Sequence, residues 1–194
     1  MTGAAPDDTR AALIRVARDA FAERGYAGTH LEDVAAAMGL TKGAIYHHFG
    51  SKAELFGAVR ASLEHALLHR VEAALRAASP GWPRVEAALD AYLDASAEPA
   101  YARVVLVEAA HAPAPSPIDR AVGHRLVRDL LEELASHDVL RPLPLDVLAR
   151  VLRAALDEVA LAMAEASDVA RARADGRAVL RALLEGLARG RTRA

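Results

Sequence analysis

The sequence contains no cysteine and few aromatic residues. The lack of cysteine excludes disulfides, thiolate metal sites and a cysteine nucleophile. Aromatic residues make up 4% of the chain although hydrophobic residues make up 53%, so the core must consist mainly of alanine, leucine and valine. This composition favours helices, because alanine and leucine have the highest helix propensities.

Targeting segments are also missing from the sequence. The N-terminal stretch MTGAAPDDTR has no apolar segment of the kind that a signal peptide contains. No apolar run approaches the roughly 20 residues that cross a bilayer. We therefore expect a soluble, cytoplasmic protein without a membrane partner. Its 194 residues suffice for one long domain or two small ones.

Common catalytic motifs are absent as well. The sequence has no G-x-S-x-G, no H-E-x-x-H and no phosphate-cradling glycine loop. His47 and His48 point about 100° apart on a helix, so they cannot serve one metal ion. His65 and His69 have the i, i+4 spacing of a metal pair but no third ligand at hand. We expect no enzyme activity, no bound metal and no cofactor.

Residues 29–52 contain the highest concentration of helix-capping residues and of apolar residues at helical spacing. Thr29 and Glu32 have the spacing of a capping box, which predicts the start of a short helix, and Gly39 is of the type that ends one. Thr41 is expected to cap a second helix. The apolar stripe of the first of these helices consists of Leu31, Val34, Ala35 and Met38.

The second short helix directs Ile45 and Phe49 inward and ends at Gly50. Ser51 and Glu54 form another capping box, which opens a third helix. Two short helices joined by a glycine-containing turn are the layout of a helix-turn-helix, whose second helix enters the major groove of DNA.

The outward face of the second helix suits DNA. It combines side chains that donate to phosphate oxygens with small residues that let the backbone approach the bases. The residues that we assign to DNA contacts are Thr29, Thr41, Lys42, Gly43, Ala44, Tyr46, His47 and Lys52.

The segments THLEDVAAAMGL and TKGAIYHHFGSKAELF resemble the DNA-binding domain of the tetracycline-repressor (TetR) family of bacterial transcription regulators. The resemblance extends from about Thr9 to about Leu63. It implies a sequence-specific regulator, most commonly a repressor, whose partner is a palindromic operator in double-stranded DNA. It also implies an N-terminal three-helix DNA-binding domain, followed by a helical domain that binds a small effector and forms a homodimer.

Net charge does not by itself indicate DNA binding. The formal charge of the chain is −2, and its first fifty residues carry five basic against six acidic side chains. Nucleic-acid binders commonly have a basic domain. Binding is therefore expected to depend on the local placement of Lys42, His47 and Lys52 and on helix N-termini that point at phosphates.

Helical periodicity continues along the chain between proline-rich breaks. A helix of some seven turns over 51–78 connects the N-terminal module to the remainder. The run 100–111 is the most apolar and predicts a helix buried on several sides. Further helices are predicted over 8–24, around 85–93, and over 118–137, 145–167 and 169–189, with breaks at 79–83, 112–117 and 141–145.

The prediction is an all-α protein of about nine helices in two domains. Residues 8–55 form the helix-turn-helix domain, with the motif itself at about 30–49, and residues 56–190 form the effector-binding and dimerisation domain. The resemblance assigns the homodimer contact to the last two helices, about 145–189. Their alanine- and leucine-rich composition suits that role, and it suits an intramolecular core equally.

The effector site has no motif of its own. Ligand pockets are mostly apolar with a few placed polar groups, so candidates are polar, aromatic or adaptable residues within otherwise apolar helices. Each of them is also explained as an ordinary surface or core residue. The candidates are Tyr92, Tyr101, Arg103, Glu108, His111, Asp157, Glu158 and Met163.

The chain's composition favours a small, largely apolar effector over a sugar or nucleotide, and the scarcity of aromatic residues argues against a large multidrug-type cavity. A helical adaptor that binds proteins through its C-terminal half is the alternative function. It leaves the constellation of residues 41–52 unexplained.

Overall fold

The computed structural model describes residues 6–108 and 117–188. This part of the chain is all-α, as predicted, with nine α-helices and one π-helical segment, Ala102–Val107, that continues α6. The helices are α1 Pro6–Gly28, α2 Leu31–Ala37, α3 Lys42–His48, α4 Lys52–Ala77, α5 Trp82–Ser96, α6 Pro99–Tyr101, α7 Pro117–Ser136, α8 Leu145–Glu165 and α9 Val169–Leu187.

The described residues group into two compact units. The first contains residues 6–66 and 98–108, and the second contains residues 67–97 and 117–188. The long helix α4 begins in the first unit and ends in the second. The grouping differs from the expected division at residues 55 and 56, because residues 56–66 of α4 and the segment 98–108 belong to the N-terminal unit.

The core of the first unit is built from α1 to α4. Phe21 and Phe56 meet edge to face with their ring centroids 4.9 Å apart, and Val34, Ile45 and Phe49 are buried beside them. Aromatic pairs of this geometry add stability beyond that of the buried area alone. The inward orientation predicted for Ile45 and Phe49 is therefore confirmed.

The apolar run 100–111 differs from its predicted form. It forms the short α6 and the π-helical segment, and Glu108 is its last described residue. Val104 and Val105 are buried, whereas Val107 is 53% exposed. The segment packs against α1, and the exposure of Arg103 and Val107 contradicts the expectation of burial on several sides for the described part of this run. Residues 109–111 lie outside the described part of the chain.

The second unit has two buried clusters. One joins α5, α7 and α8 around Leu131, Leu134 and Leu152, and the other joins α5, α8 and α9 around Leu93 and Met163. All five of these side chains are buried. Leucine, alanine and valine fill the space that aromatic side chains would otherwise occupy, as the composition predicts.

The turn before α5 is fixed by a carboxylate of α7. Glu133 accepts from the N–H of Gly81 at 3.0 Å and from Arg84 at 2.6 Å. The Gly81 N–H and then Arg84 hold the pKa of the Glu133 carboxyl below its usual value. Trp82 begins α5 and packs against the first cluster.

A ladder of three principal ion pairs joins α5 to α9, and Arg173 forms a fourth, longer pair with Asp90 at 3.5 Å. Acidic residues of α5 and arginines of α9 each recur every four residues, so they lie along one face of each helix. The central arginine, Arg177, donates two hydrogen bonds of 2.6 and 3.0 Å to Asp90. The pairs of this charge ladder are Asp94–Arg173, Asp90–Arg177 and Glu86–Arg181.

Substitution of Asp90, the central acid of the charge ladder, is expected to lower the stability of the fold at neutral pH. It should also reduce the loss of stability that acid causes. The hydrogen bond from Arg177 is the main reason that the pKa of Asp90 lies below its usual value. Asp90 therefore stabilises the fold above its unfolded pKa of about 3.9, and that contribution disappears as the pH falls through the folded-state pKa. Asp90→Asn should lose about 1 kcal/mol, or about 2–4 °C in Tm, at pH 7.

Thermal unfolding from pH 7 to pH 3 tests this expectation. Asp175→Asn is the matched control, because Asp175 forms an exposed pair with Arg171 of its own helix. A loss of Tm in Asp90→Asn that is the same at pH 3 as at pH 7 would contradict the role given to Asp90.

None of the helices in the described part of the chain is long and apolar enough to cross a membrane.

Candidate DNA interface and ligand cavity

α2 and α3 form the predicted helix-turn-helix. Gly39 follows α2 with φ of 67°, a left-handed conformation that glycine adopts without steric cost. Thr41 then caps α3, and its hydroxyl accepts from the N–H of Ala44 at 3.3 Å. The predicted end of α2 and the predicted cap of α3 are both confirmed.

The start of α4 carries the second predicted capping box. The Ser51 hydroxyl accepts from the N–H of Glu54 at 3.2 Å, and the Glu54 carboxylate accepts from the N–H of Gly50 at 2.8 Å. The carboxylate thus reaches the residue before the cap rather than the cap itself. These bonds fix the chain between α3 and α4.

Thr29 has an interior role that corrects two predictions. Its side chain is fully buried, and its hydroxyl lies 2.8 Å from the carbonyl oxygen of Gly25 and 3.1 Å from that of Ala20. The N-cap of α2 is instead His30, which forms no side-chain capping bond. The predicted capping box of Thr29 and Glu32 was therefore wrong, and the buried side chain cannot contact DNA.

The remaining DNA candidates cluster on α3 and beside it. Thr41, Lys42, Gly43 and His47 are exposed, and the Tyr46 side chain is 42% exposed. Ala44 is half-buried. A β-carbon on Gly43 would find only the Thr41 hydroxyl within 4 Å, so the protein itself does not require glycine there. The face is open, as close approach to a base edge requires.

Lys42 is held by an acidic residue of α2. Its ammonium lies 2.6 Å from the Glu32 carboxylate and 5.9 Å from the centre of the Tyr46 ring. The hydrogen bond between the two charged groups lowers the pKa of Glu32 and raises the pKa of Lys42. The predicted contact of Lys42 with a phosphate competes with this carboxylate for the ammonium group.

Removing the carboxylate that holds Lys42 is expected to strengthen DNA binding. Glu32→Gln should increase operator affinity by about threefold at low salt, because Lys42 no longer exchanges a charged partner. The gain should shrink as salt screens the pair. Fluorescence anisotropy with a labelled operator measures it, and the exposed Asp33→Asn of the same helix is the charge-matched control. An unchanged or weaker affinity in Glu32→Gln would contradict the expectation.

Lys52 turns back onto α1. Its ammonium lies 3.4 Å from the carbonyl oxygen of Ala27 and 4.5 Å from the centre of the Tyr26 ring. Tyr26 in turn meets Phe56 edge to face at 5.1 Å. Lys52 is thus placed at the first turn of α4, and its contact with DNA remains a prediction.

Three of the effector candidates lie in the first unit around the kink of α1. Glu108 accepts from the N–H of Tyr26 and from Arg103 Nε, and Tyr101 is buried on the same segment. These contacts fasten the π-helical segment to Gly25, where α1 departs from helical geometry. The three residues thus contribute to the packing of this unit.

The second unit contains an apolar cavity of about 130 Å³. The end of α4 and parts of α5, α7, α8 and α9 line it, mostly with leucine and valine side chains. A cavity of this kind agrees with the predicted small, apolar effector. Its lining residues other than leucine, valine and alanine are Tyr92, Gly123 and Arg153.

Two predicted effector residues meet at this cavity. The Tyr92 hydroxyl donates to Asp157 at 3.1 Å, and Arg153 donates to the other oxygen of Asp157 at 2.8 Å. The sequence interpretation missed Arg153, which stands four residues before Asp157 and so lies on the same helix face. That spacing was the available signal.

The other effector candidates are not brought to this cavity. Met163 is buried in the cluster with Leu93, Leu89 and Leu180, and Glu158 is exposed. His111 lies outside the described residues.

An exposed apolar surface covers part of α8 and α9. The side chains of Val151 and Val179 are 59% and 56% exposed. Contiguous exposed apolar patches of this kind mark sites of protein association. The members of this apolar face are Val147, Val151, Val179 and Leu183.

Comparison with known proteins identifies the family. A model of "Bacterial regulatory proteins, tetR family" matches residues 13–59, and a model of "Tetracyclin repressor-like, C-terminal domain" matches residues 82–187. The second match alone spans more than half of the chain. The chain belongs to the TetR family of DNA-binding transcriptional regulators. This family is not one of enzymes, so the predictions of family, fold class and absent enzyme activity are confirmed.

Three relatives place the chain within the family. The crystal structure of a TetR-family regulator from Pectobacterium atrosepticum is 34% identical with a TM-score of 0.86, and the match covers 97% of this chain and 98% of that one. The regulator TtgR of Pseudomonas putida is 47% identical over 66 residues, 34% of this chain and 31% of the relative. The activator FasR of Mycolicibacterium smegmatis is 34% identical over 88 residues, 45% of this chain and 40% of the relative.

Proposed function

We propose that the protein is a homodimeric repressor that binds a palindromic operator and is released by a small, largely apolar effector. The observation that carries this proposal is the open face of α3, where Lys42, Tyr46 and His47 stand beside the uncrowded Gly43. Phosphate donors around a close-approach position are what a recognition helix presents to the major groove. The site of action is the cytoplasm.

The homodimer forms through the apolar face of α8 and α9. A single helix-turn-helix reads a short site, whereas a dimer reads two half-sites about 34–36 Å apart. A two-fold interface presents the same patch from both subunits, and burying the valines of this face removes the apolar surface that a monomer exposes. The charge ladder supports the interface by fixing α9 against α5.

The effector occupies the apolar cavity of the second unit. Its effect on DNA binding follows from a population shift, in which the effector binds better to a conformer that does not fit the operator. An effector with equal affinity for both conformers releases nothing. Filling the cavity with protein atoms should therefore remove the response and leave the operator contacts in place.

A reporter experiment tests repression and effector control together. A DNA fragment selected by the protein is placed before a reporter gene, and transcription is measured with the wild type, with no protein and with a cavity-filling Leu156→Trp variant. Repression predicts transcription that is lower with the wild type than without protein. Higher transcription with the wild type would show an activator, which is what the relative FasR is named.

A further inference from the structure

The apolar cavity has one polar corner, formed by Tyr92, Arg153 and Asp157, and this corner indicates which polar group its ligand contains. Arg153 and Tyr92 both line the cavity and both donate to Asp157. The remaining lining side chains, apart from Gly123, are leucine, valine and alanine. Any polar group of a ligand must therefore find its partner at this corner, because an unpaired polar group in apolar surroundings is costly.

The polar corner offers hydrogen-bond donors and no net charge. Asp157 engages Nη2 of Arg153 through one oxygen and the Tyr92 hydroxyl through the other. Among the residues that the structure describes, Asp157 is the one acceptor that the Arg153 guanidinium contacts. A guanidinium carries five N–H donors, so most of those of Arg153 remain for a ligand. Its positive charge is already balanced by Asp157.

Gly123 of α7 packs against this guanidinium. A β-carbon at this position would lie 3.2 Å from Nη1 of Arg153, which is closer than ordinary van der Waals contact. The absence of a side chain at Gly123 thus lets the guanidinium lie against α7. A ligand oxygen can accept from the N–H groups that neither Asp157 nor α7 covers, without displacing Asp157.

We infer that the effector is a small uncharged molecule with an apolar body and one oxygen acceptor, such as a ketone, ester or ether, which accepts from Arg153. This inference deepens the proposed function and rests on its effector site. A carboxylate ligand would meet the negative charge of Asp157, which already balances the guanidinium, and an ammonium ligand would meet the positive charge of Arg153. Both ions would also lose their hydration against an apolar wall.

The cavity volume limits the size of this molecule. A dry cavity of about 150 Å³ holds a single benzene ring in another protein, and the volume here is about 130 Å³. A group of about the size of one ring or a short alkyl chain therefore fits within this volume. The cavity is partly open, so a larger member of the same class can extend beyond it.

Four probes with one ring each test the chemical class directly. Acetophenone carries the acceptor, ethylbenzene lacks it, benzoate is an anion and benzylamine is a cation. Affinities are measured by calorimetric titration with the full-length wild type, with Arg153→Met and with Arg150→Met. Arg150 is an exposed arginine on the same helix, so its variant controls for the loss of a positive charge. Binding of a selected operator without probe is measured in parallel.

The expected result is acetophenone binding about 3- to 10-fold more tightly than ethylbenzene to the wild type, the worth of one net hydrogen bond. This preference should disappear in Arg153→Met and persist in Arg150→Met, while ethylbenzene binds all three proteins alike. Benzoate and benzylamine should bind more weakly than either. Gly123→Val is a second variant, since its side chain displaces Nη1 of Arg153 from α7 while both charges remain.

Three results would overturn the inference. One is tighter binding of benzoate or benzylamine than of acetophenone, the second is a ketone preference that survives in Arg153→Met and Gly123→Val, and the third is no binding of any probe. Operator binding distinguishes failure of the inferred ligand class from failure of the proposed function. If the wild type binds operator but no probe, the ligand class fails and the DNA-binding function stands; if it binds a probe but no operator, the proposed function fails.

Discussion

Lys42→Ala combined with Tyr46→Ala is expected to reduce operator affinity by at least about 100-fold, because each dimer loses both contacts twice. Both side chains are exposed on α3, and neither belongs to the buried core. The cap of α3 is the Thr41 hydroxyl, which the variant retains. The helix should therefore form normally, and the loss should appear in DNA binding alone.

The salt dependence of binding distinguishes phosphate contacts from base contacts. Each Lys42 that neutralises a phosphate releases counterions, so Lys42→Ala alone should reduce the steepness of log K against log salt by about 1 per subunit. Arg150→Ala, which removes an exposed cation from α8, is the control and should leave the slope unchanged. An operator affinity within about threefold of the wild type in the double variant would contradict the placement of the interface on α3.

Val151→Glu with Val179→Glu is expected to convert the dimer to monomers. The two valines are more than half exposed in the single chain, so a carboxylate at either position costs the monomer little. In a two-fold interface each carboxylate is buried without a partner, which typically costs 3–5 kcal/mol. The dimer dissociation constant should therefore rise by more than about 100-fold, measured by sedimentation velocity over a range of concentrations.

Val107→Glu is the matched control for this experiment. Val107 is 53% exposed, so it offers a similar change of side chain outside α8 and α9. The control should remain dimeric. A double variant that stays dimeric with the same dissociation constant as the wild type would contradict the proposed interface, and a control that dissociates equally would show a general effect of added charge.

The local features of the fold were predictable because they depend on residues close in the chain. The Thr41 cap, the Gly39 turn and the bonds of Ser51 and Glu54 all join positions within four residues of one another. Helix bounds followed from the same short-range signals. For this reason the helix-turn-helix and the lengths of α4, α8 and α9 could be derived from sequence patterns.

Thr29 shows where a local rule fails. Its spacing to Glu32 satisfies the capping box, but its hydroxyl bonds instead to carbonyls exposed by the kink of α1 at Gly25. The kink is held by Glu108, a residue more than eighty positions away in the chain. A contact at that separation cannot be inferred from the periodicity of either segment.

The apolar cavity was beyond prediction for a similar reason. Five helices contribute to its wall, and which of their faces meet depends on how the helices pack. Tyr92 and Asp157 were among the sequence candidates, as polar residues in apolar helices, whereas Arg153, which also donates to Asp157, was not. Likewise, the spacing of acids in α5 and arginines in α9 is visible in the sequence, whereas their pairing in the charge ladder is a property of the fold.

The central claim is that α3 of a dimer recognises a palindromic operator, and selection of genomic DNA fragments by the purified protein tests it most directly. The wild type is compared with a variant that carries Tyr46→Ala and Lys52→Ala and so lacks two of the predicted DNA contacts. The account predicts that the wild type enriches a pseudo-palindrome with half-sites about one helical turn apart, and that the variant does not. A folded, dimeric wild type that enriches no sequence would contradict it.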